Sequence, residues 1–381
     1  MSADLTGELD LRVDASETPI LNDENRFKLA LFCVNTARGT TMSLDTTGLV
    51  KVSWDESVRI CQRADRAGID AVIPLARWRN VPRIRAEFDR VYETFTWAAA
   101  IAALTDRIQV FATFHTPLYP PLRAAKMATT LDHVSGGRCG INIVAGFSAV
   151  DFRMFGIELE ANADPYDRTE EWLNLIKRAW TEDEPFDFDG HYYAGVEIIS
   201  EPKPLQRPWP VIMCAGNSPR GKAFSAKHAD VNFGAFPSFK AIPEIVAQSR
   251  EVAGDAKVFG HGYVFCGDTE AEARRRVDHW VRDHVDDATA GAFVEQVLGF
   301  SGRNEKFNDR LAYEQLVSRA AAGFFALPLV GTPDQVAEGI QKMADGGLDG
   351  MAVSFPDYHE GIHAYDEAIR PLLVERGLRR R

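Results

Sequence analysis

Two polar side chains interrupt apolar runs that are typical of buried strands. Thr113 closes the run at residues 107–113, and Asn142 lies within the β-branched run at 138–145. An unsatisfied buried amide costs about 1–3 kcal/mol. Asn142 therefore either makes a structural hydrogen bond or faces a ligand, and Thr113 either caps its strand or lies in a site. His115, two residues further on, is a candidate proton donor, with a structural role as the alternative.

A turn at residues 214–223 has the composition of an anion site. Gly216 lets the backbone approach a ligand, and Asn217 or Ser218 can cap the helix that follows. Free N–H groups at a helix N-terminus attract an anion such as phosphate. Tyr166, at the start of an earlier predicted helix, can supply a further phosphate donor, or it lies at a solvated helix start.

A third pattern, His359-Glu360-Gly361-Ile362-His363, fits the H-E-x-x-H motif of zinc enzymes. Its glycine stands at a helix-interior position, and no further ligand is suggested by the spacing. We interpret these as surface histidines and predict no metal site, with a zinc hydrolase kept as an alternative.

Other catalytic classes are disfavoured by what the sequence lacks. There is no G-x-G-x-x-G, P-loop or G-x-S-x-G motif, so a dinucleotide dehydrogenase, a kinase and a serine hydrolase lose support. A net charge of −12 disfavours nucleic acid and anionic membranes, and no run of 18 apolar residues exists. The chemistry is therefore expected to belong to a cofactor.

The cysteines indicate a reducing compartment. The five cysteines show no C-x-x-C spacing, and several lie in apolar runs, so we expect free thiols and a cytoplasmic enzyme. No signal peptide is visible, because seven acids and one arginine occupy the first 24 residues. Residues 1–25 are predicted to form a flexible acidic arm, and the arginines within 376–381 a solvated tail.

The elements that would hold these side chains alternate between strand and helix. Apolar β-rich runs alternate with amphipathic helical patterns, which favours a parallel sheet covered by helices. Eight such units favour a closed (β/α)8 barrel over an open doubly wound sheet. The barrel domain is predicted over 26–381, with insertions at 147–165, 183–208 and 268–330 that build the site at the C-terminal face. The eight predicted strands are 27–34, 70–75, 107–113, 138–145, 209–215, 229–233, 257–266 and 349–354.

Five ordered segments resemble the bacterial luciferase-like flavin monooxygenases. Residues 127–146 read MATTLDHVSGGRCGINIVAG, the most distinctive match to the family's signature. The other four matches are WTED at 180–183 with FDGHYY at 188–193, PKP at 202–204, AGNS at 215–218 and GTPDQVA at 331–337. The resemblance covers most of 26–375 and is nearest the branch with pyrimidine, dimethylsulfone and riboflavin-cleaving enzymes.

The resemblance implies a TIM barrel with FMN across its mouth. Thr113 and Asn142 match family positions that hold dioxygen near the flavin, and Asp151 matches an acidic flavin-contacting position. Ala76 and Arg77 match the pair under the flavin ring. The phosphate turn of the family is matched by Gly216, Asn217 and Ser218, with Tyr166 in support.

The implied activity is that of a two-component monooxygenase using reduced FMN and O2. A separate NAD(P)H-dependent flavin reductase would supply the reduced FMN, and we expect a homo-oligomer, dimer or tetramer. A planar N-heteroaromatic ring, as in a pyrimidine or riboflavin, is the expected substrate. The alternatives are an alkyl sulfone, F420-dependent hydride transfer in the same fold, and a catalytically silent FMN-binding protein.

Overall fold

Eight parallel strands close into a barrel in the computed structural model, which describes residues 12–81, 83–146, 149–157, 164–216, 218–300 and 310–380. Around the barrel the strand order is β2-β3-β4-β5-β9-β10-β11-β13, and β13 pairs with β2 to close it. The predicted (β/α)8 barrel is therefore confirmed. The strands are β1 (Val13–Asp14), β2 (Lys28–Phe32), β3 (Ala71–Ile73), β4 (Gln109–His115), β5 (Cys139–Val144), β6 (Phe186–Asp189), β7 (Ala194–Ile198), β8 (Gln206–Arg207), β9 (Val211–Cys214), β10 (Val231–Phe233), β11 (Lys257–Cys266), β12 (Leu327–Gly331) and β13 (Gly350–Ser354).

Helices cover the outside of this barrel. Many begin at a side chain that accepts a hydrogen bond from the first turn, as Thr332 does in a capping box with Gln335. Two π-helical turns follow α8 and α12. The helices are α1 (Trp54–Arg66), α2 (Thr94–Ala102), α3 (Pro121–Ser135), α4 (Ala149–Met154), α5 (Pro165–Thr181), α6 (Pro219–His228), α7 (Ile242–Ala253), α8 (Glu270–Asp278), α9 (Asp287–Phe300), α10 (Arg310–Ala321), α11 (Pro333–Asp345), α12 (Tyr358–Ala364) and α13 (Arg370–Glu375).

The middle layer of the barrel interior is apolar. Ala30, Phe111, Val231 and Phe259 belong to one buried cluster inside the ring of strands. A side chain at Gly140 would place its Cβ 2.4 Å from the Phe111 ring, so the glycine makes room for that ring. Since side chains alternate along a strand, the residues two positions further on point into the barrel mouth.

Both ends of the chain close the bottom of the barrel. Within the predicted flexible arm, residues 12–25 are described, and Ile20 is fully buried below the barrel with its N–H bonded to Gln109. This part of the arm packs against the domain, and residues 1–11 lie outside the described ranges. The expectation of a solvated C-terminal tail is wrong for Arg379, which is buried and forms an ion pair with Asp70.

Two of the three predicted insertions gain strands. The segment 183–208 holds the antiparallel pair β6–β7 and the short β8. The segment 268–330 is mostly helical where it is described, but it also contains most of β12, which extends the sheet beside the outer half of β11. Helices α9 and α10 of this insertion enclose a second small core, to which Met42, Phe88 and Phe293 belong. No helix in the described ranges is long and apolar enough to cross a membrane.

Candidate active site

Thr113 and Asn142 are neighbours at the barrel mouth. They are directly paired in the register of β4 and β5, and both side chains are buried. Thr113 Oγ1 donates to the carbonyl oxygen of Pro74 at 2.7 Å. Because a hydroxyl has one proton, Thr113 must accept from Asn142 Nδ2, which lies 3.3 Å away.

This proton count fixes the orientation of the Asn142 amide. Its Nδ2 faces Thr113, so Oδ1 points the other way, where it has no hydrogen-bond partner in the described part of the chain. A buried acceptor without a donor is costly. The arrangement therefore suits a ligand that brings an N–H or O–H group to Asn142.

His115 lies at the end of β4, further toward the mouth. Its Nδ1 is buried without a hydrogen bond from any described residue, and it lies 3.8 Å from Asp151 Oδ2, too far for a hydrogen bond. Burial, aided by the nearby Arg77 charge, lowers the pKa of His115 to about 4, so the imidazole is neutral at pH 7. The neutral imidazole can donate one hydrogen bond and accept another at the mouth.

Asp151 connects this corner to the loop after β3. Its Oδ1 accepts from the Arg79 N–H at 2.8 Å, and burial raises the pKa of its carboxyl above the usual range in spite of that bond. Ala76 and Arg77 lie in the same loop and are half-buried. Arg77 Nη1 is 3.4 Å from the carbonyl oxygen of Phe88, and desolvation lowers the pKa of its guanidinium. The predicted residues 76, 77, 115 and 151 are thus brought to one side of the mouth.

The turn that is predicted to hold a phosphate leads from β9 into α6. Ser218 is the N-cap, and its Oγ accepts from the Gly221 N–H at 3.0 Å. A Cβ at Gly216 would lie 2.7 Å from the Tyr166 hydroxyl and 2.8 Å from Gly221 Cα, so the turn closes tightly under the tyrosine. Burial raises the pKa of Tyr166 to about 12, which keeps its phenol protonated. Asn217 lies outside the described residues.

Arg220, which no sequence motif indicates, joins α6 to the start of α5. Arg220 lies 3.2 Å from Asp164, 2.7 Å from Asp167 and 3.1 Å from Glu170, all carboxylate contacts around the start of α5. Asp164 is also the N-cap of α5. The ion pairs therefore hold Tyr166, in the first turn of α5, against α6. In the sequence, Arg220 is simply the second residue of a helix, and nothing near it indicates that the carboxylates of α5 are its partners.

The second missed feature is a polar pair on the other side of the barrel. His261 Nε2 lies 3.0 Å from Ser354 Oγ, and both side chains are buried. Burial lowers the pKa of His261 to about 3. The sequence signal for this pair is His261 itself, which lies between two glycines in an otherwise apolar strand.

The H-E-x-x-H residues do not assemble a metal site. His359 Nε2 bonds Glu56 Oε1 at 3.1 Å, which ties α12 to α1. Over the described ranges no three His, Cys, Asp or Glu side chains are grouped to hold a metal ion. All five cysteines are free thiols.

Comparisons with known proteins place this barrel in a family. The model of the luciferase-like monooxygenases matches residues 27–350. This chain belongs to the luciferase-like monooxygenase family. It is 27% identical over 360 residues to a pyrimidine monooxygenase (RutA) of Acinetobacter baylyi, covering 92% of this chain and 95% of that protein. It is 31% identical over 329 residues to the pyrimidine monooxygenase of Cronobacter turicensis, covering 82% and 84%.

Among solved structures, the fold is similar to that of a riboflavin lyase (RcaE) crystallised with modified FMN and its substrate riboflavin. The TM-score is 0.82 at 21% identity, over 93% of this chain and 92% of that one. The resemblance predicted from the five sequence segments is confirmed. The chain is a flavin-dependent monooxygenase, which uses reduced flavin and O2 on a small-molecule substrate.

Proposed function

We propose that this chain binds FMN across the barrel mouth and oxygenates, or oxidatively cleaves, a planar N-heteroaromatic substrate. The observation that carries the flavin placement is the unpartnered Oδ1 of Asn142, a buried acceptor at the mouth of a luciferase-like barrel. The substrate class is supported by the relatives, which are named for pyrimidines, and by a structural neighbour crystallised with riboflavin.

The residues present fit a flavin phosphate as well as a ring. Gly216 and Gly221 pack against each other and against the Tyr166 hydroxyl with no room for a Cβ, and Ser218 caps the helix whose first N–H groups attract an anion. Tyr166 keeps its proton and can donate a hydrogen bond there. We assign the phosphate to this turn, together with Asn217.

The ring would then lie over the side chains at the ends of the strands. Bound reduced flavin supplies the two electrons with which O2 is activated. Asn142 positions a ring N–H through Oδ1, and its second Nδ2 proton can donate to oxygen as negative charge develops. Thr113 holds that amide in place, since its own proton is used by Pro74.

The residues on the β3 side complete the proposed pocket. Ala76 and Arg77 would underlie the ring, and Asp151 would hold their loop through its bond to Arg79. His115, neutral at pH 7, is assigned as the group that passes a proton to or from Nδ1. The buried surroundings of these groups exclude water from the reaction.

Two partners belong to the proposal. A separate NAD(P)H-dependent flavin reductase would provide reduced FMN, so the purified chain with FMN should not oxidise NADH or NADPH by itself. Assembly as a dimer or tetramer stays a prediction, to be checked by light scattering.

The deciding experiment is a single turnover. The protein is loaded with anaerobically reduced FMN and mixed with 18O2 in the presence of uracil, riboflavin or dimethylsulfone, and products are read by mass spectrometry. Labelled or cleaved product from uracil or riboflavin is expected. Product from dimethylsulfone alone would replace the heteroaromatic substrate with an alkyl sulfone, and a failure to bind FMN would favour F420.

A further inference from the structure

The turn that leads from α10 into β12 has a strained backbone. Phe324 and Phe325 have φ values of 52° and 66°, in the left-handed region that bulky side chains rarely adopt. Such a backbone persists only where the surrounding structure holds it, and it is found most often at functional sites. The turn belongs to the insertion at 268–330, for which the mechanism above has no role.

Hydrogen bonds keep the turn in this conformation. The Phe324 N–H donates to the carbonyl oxygen of Ala320 at 3.1 Å. Arg319 Nη2 donates to the carbonyl oxygen of Phe325 at 2.7 Å, and its Nη1 donates to the carbonyl oxygen of Pro237 at 2.9 Å. Since Pro237 lies in the loop after β10, the turn is tied to the rim of the barrel.

The Phe324 ring reaches from this turn to the loop after β3. The guanidinium carbon of Arg77 lies over that ring, 5.7 Å from its centroid. At this distance the cation is attracted by the ring quadrupole. The same ring packs against Phe293 of α9, with centroids 4.9 Å apart. Because Phe293 belongs to the small core that α9 and α10 enclose, the ring is held from within the insertion.

Three arginines join the loop after β3 to the insertion, and Arg77 does so in a different way from the other two. Arg83 forms an ion pair with Glu295. Arg85 forms one with Asp286. Within the ranges that the structure describes, Arg77 forms no ion pair, and its side chain makes one long hydrogen bond, 3.4 Å to a backbone carbonyl oxygen. The aromatic ring is therefore the contact by which the insertion holds this guanidinium.

We propose that Phe324 is a positioning residue, which holds the Arg77 guanidinium where the flavin ring rests on it. The inference rests on the proposed function, in which Ala76 and Arg77 underlie that ring. An arginine side chain has several rotatable bonds, and ordering it costs conformational entropy. The contact with Phe324 orders Arg77 before FMN binds, so that less of this cost falls on the binding step. The strained turn thus gives the insertion a part in forming the flavin site.

The test is a double-mutant cycle on FMN affinity, measured by fluorescence titration of the purified full chain without turnover. Arg77→Gln should weaken FMN binding by about tenfold, and Phe324→Leu by about three- to fivefold, because the guanidinium loses the ring that holds it. In the Arg77→Gln background, Phe324→Leu should have no further effect. Phe324→Tyr keeps an aromatic face and should retain wild-type affinity.

Phe325 provides the matched control. It lies in the same strained turn, and its ring also packs against Phe293, with centroids 5.7 Å apart. The Arg77 guanidinium, however, lies over the ring of Phe324. Phe325→Leu should therefore lower the thermal stability about as much as Phe324→Leu does and leave FMN affinity unchanged.

The contradicting results are distinct. Wild-type affinity in Phe324→Leu, or a loss that persists in the Arg77→Gln background, would overturn the positioning role and leave the proposed function standing. An equal loss in Phe325→Leu would do the same, because the effect would then come from the turn as a whole. Unchanged FMN affinity in Arg77→Gln would remove Arg77 from the flavin ring and overturn this inference. A wild type that binds no FMN would overturn the proposed function itself.

Discussion

Replacing Asn142 with alanine should separate chemistry from stability. The variant loses one 3.3 Å hydrogen bond and a buried amide, which corresponds to about 0.5–1.5 kcal/mol of folding stability. A donor that stabilises developing charge is worth 10²–10³ in kcat, or about 2.7–4 kcal/mol. The chemical loss exceeds the folding loss, so we expect the variant to fold and bind FMN while product formation falls by two orders of magnitude or more.

Asn232 provides a matched control for this change. It is 7% exposed, as Asn142 is, and its Nδ2 bonds Ser249 Oγ at 2.9 Å. Its neighbours Val231 and Phe233 face the barrel interior, so Asn232 points outward to α7. Asn232→Ala should cost a similar free energy of unfolding and leave turnover intact.

The assay has three parts. Unfolding is followed thermally, and about 1 °C per kcal/mol is expected for a chain of this length. FMN binding is followed by fluorescence, and product is counted in single turnovers at saturating reduced FMN. Wild-type turnover in Asn142→Ala, or an equal loss in Asn232→Ala, would refute the assignment of Asn142 to the reacting centre.

Three further perturbations test other parts of the site. Gly216→Ala would place a Cβ 2.8 Å from Gly221 Cα, an overpacking that costs about 1–3 kcal/mol. FMN should therefore bind ten- to hundredfold more weakly, while the binding of riboflavin, which lacks the phosphate, should be affected less. Equal losses of affinity in fluorescence titrations would contradict the phosphate turn. The pKa of His115 is about 4 in the folded protein and about 6.5 in the unfolded chain, so the unfolded chain is protonated first and the free energy of unfolding should fall as the pH drops from 6.5 to 4. His115→Phe should reduce this pH dependence in denaturant titrations at pH 7 and pH 5. An unchanged pH dependence would contradict a buried neutral imidazole. Alanine at both His359 and His363 should leave turnover and its insensitivity to chelators unchanged, and a chelator-sensitive wild type would instead revive the zinc alternative.

The barrel could be predicted because its strands are buried on both faces. Such strands read as continuous apolar runs, and eight of them separated by helical patterns leave few architectures. The pairing of Thr113 with Asn142 also follows from sequence order, since consecutive β/α units place consecutive strands side by side.

Features that depend on distant partners could not be predicted in the same way. His261 gains its meaning from Ser354, 93 positions away, and from the closure of the barrel. Arg379 reads as part of a basic tail until Asp70 and the carbonyl oxygen of Phe27 are placed beside it. The local sequence pattern carries no information on such pairs, because the burial and charge complementarity of the partners arise only when the chain folds.

The distribution of polarity inside the barrel indicates where a ligand must contribute. The middle layer of the interior is apolar, whereas the upper layer holds two hydrogen-bonded pairs on opposite sides. In the Thr113–Asn142 pair the Thr113 proton is donated to the carbonyl oxygen of Pro74, and Asn142 Oδ1 is left without a donor among the described residues. An unused acceptor in a buried layer costs about 1–3 kcal/mol, and an apolar side chain in place of Asn142 would avoid that cost. The amide at this position is accounted for if a planar ligand in the mouth brings an N–H group to Asn142, and a flavin ring meets that requirement.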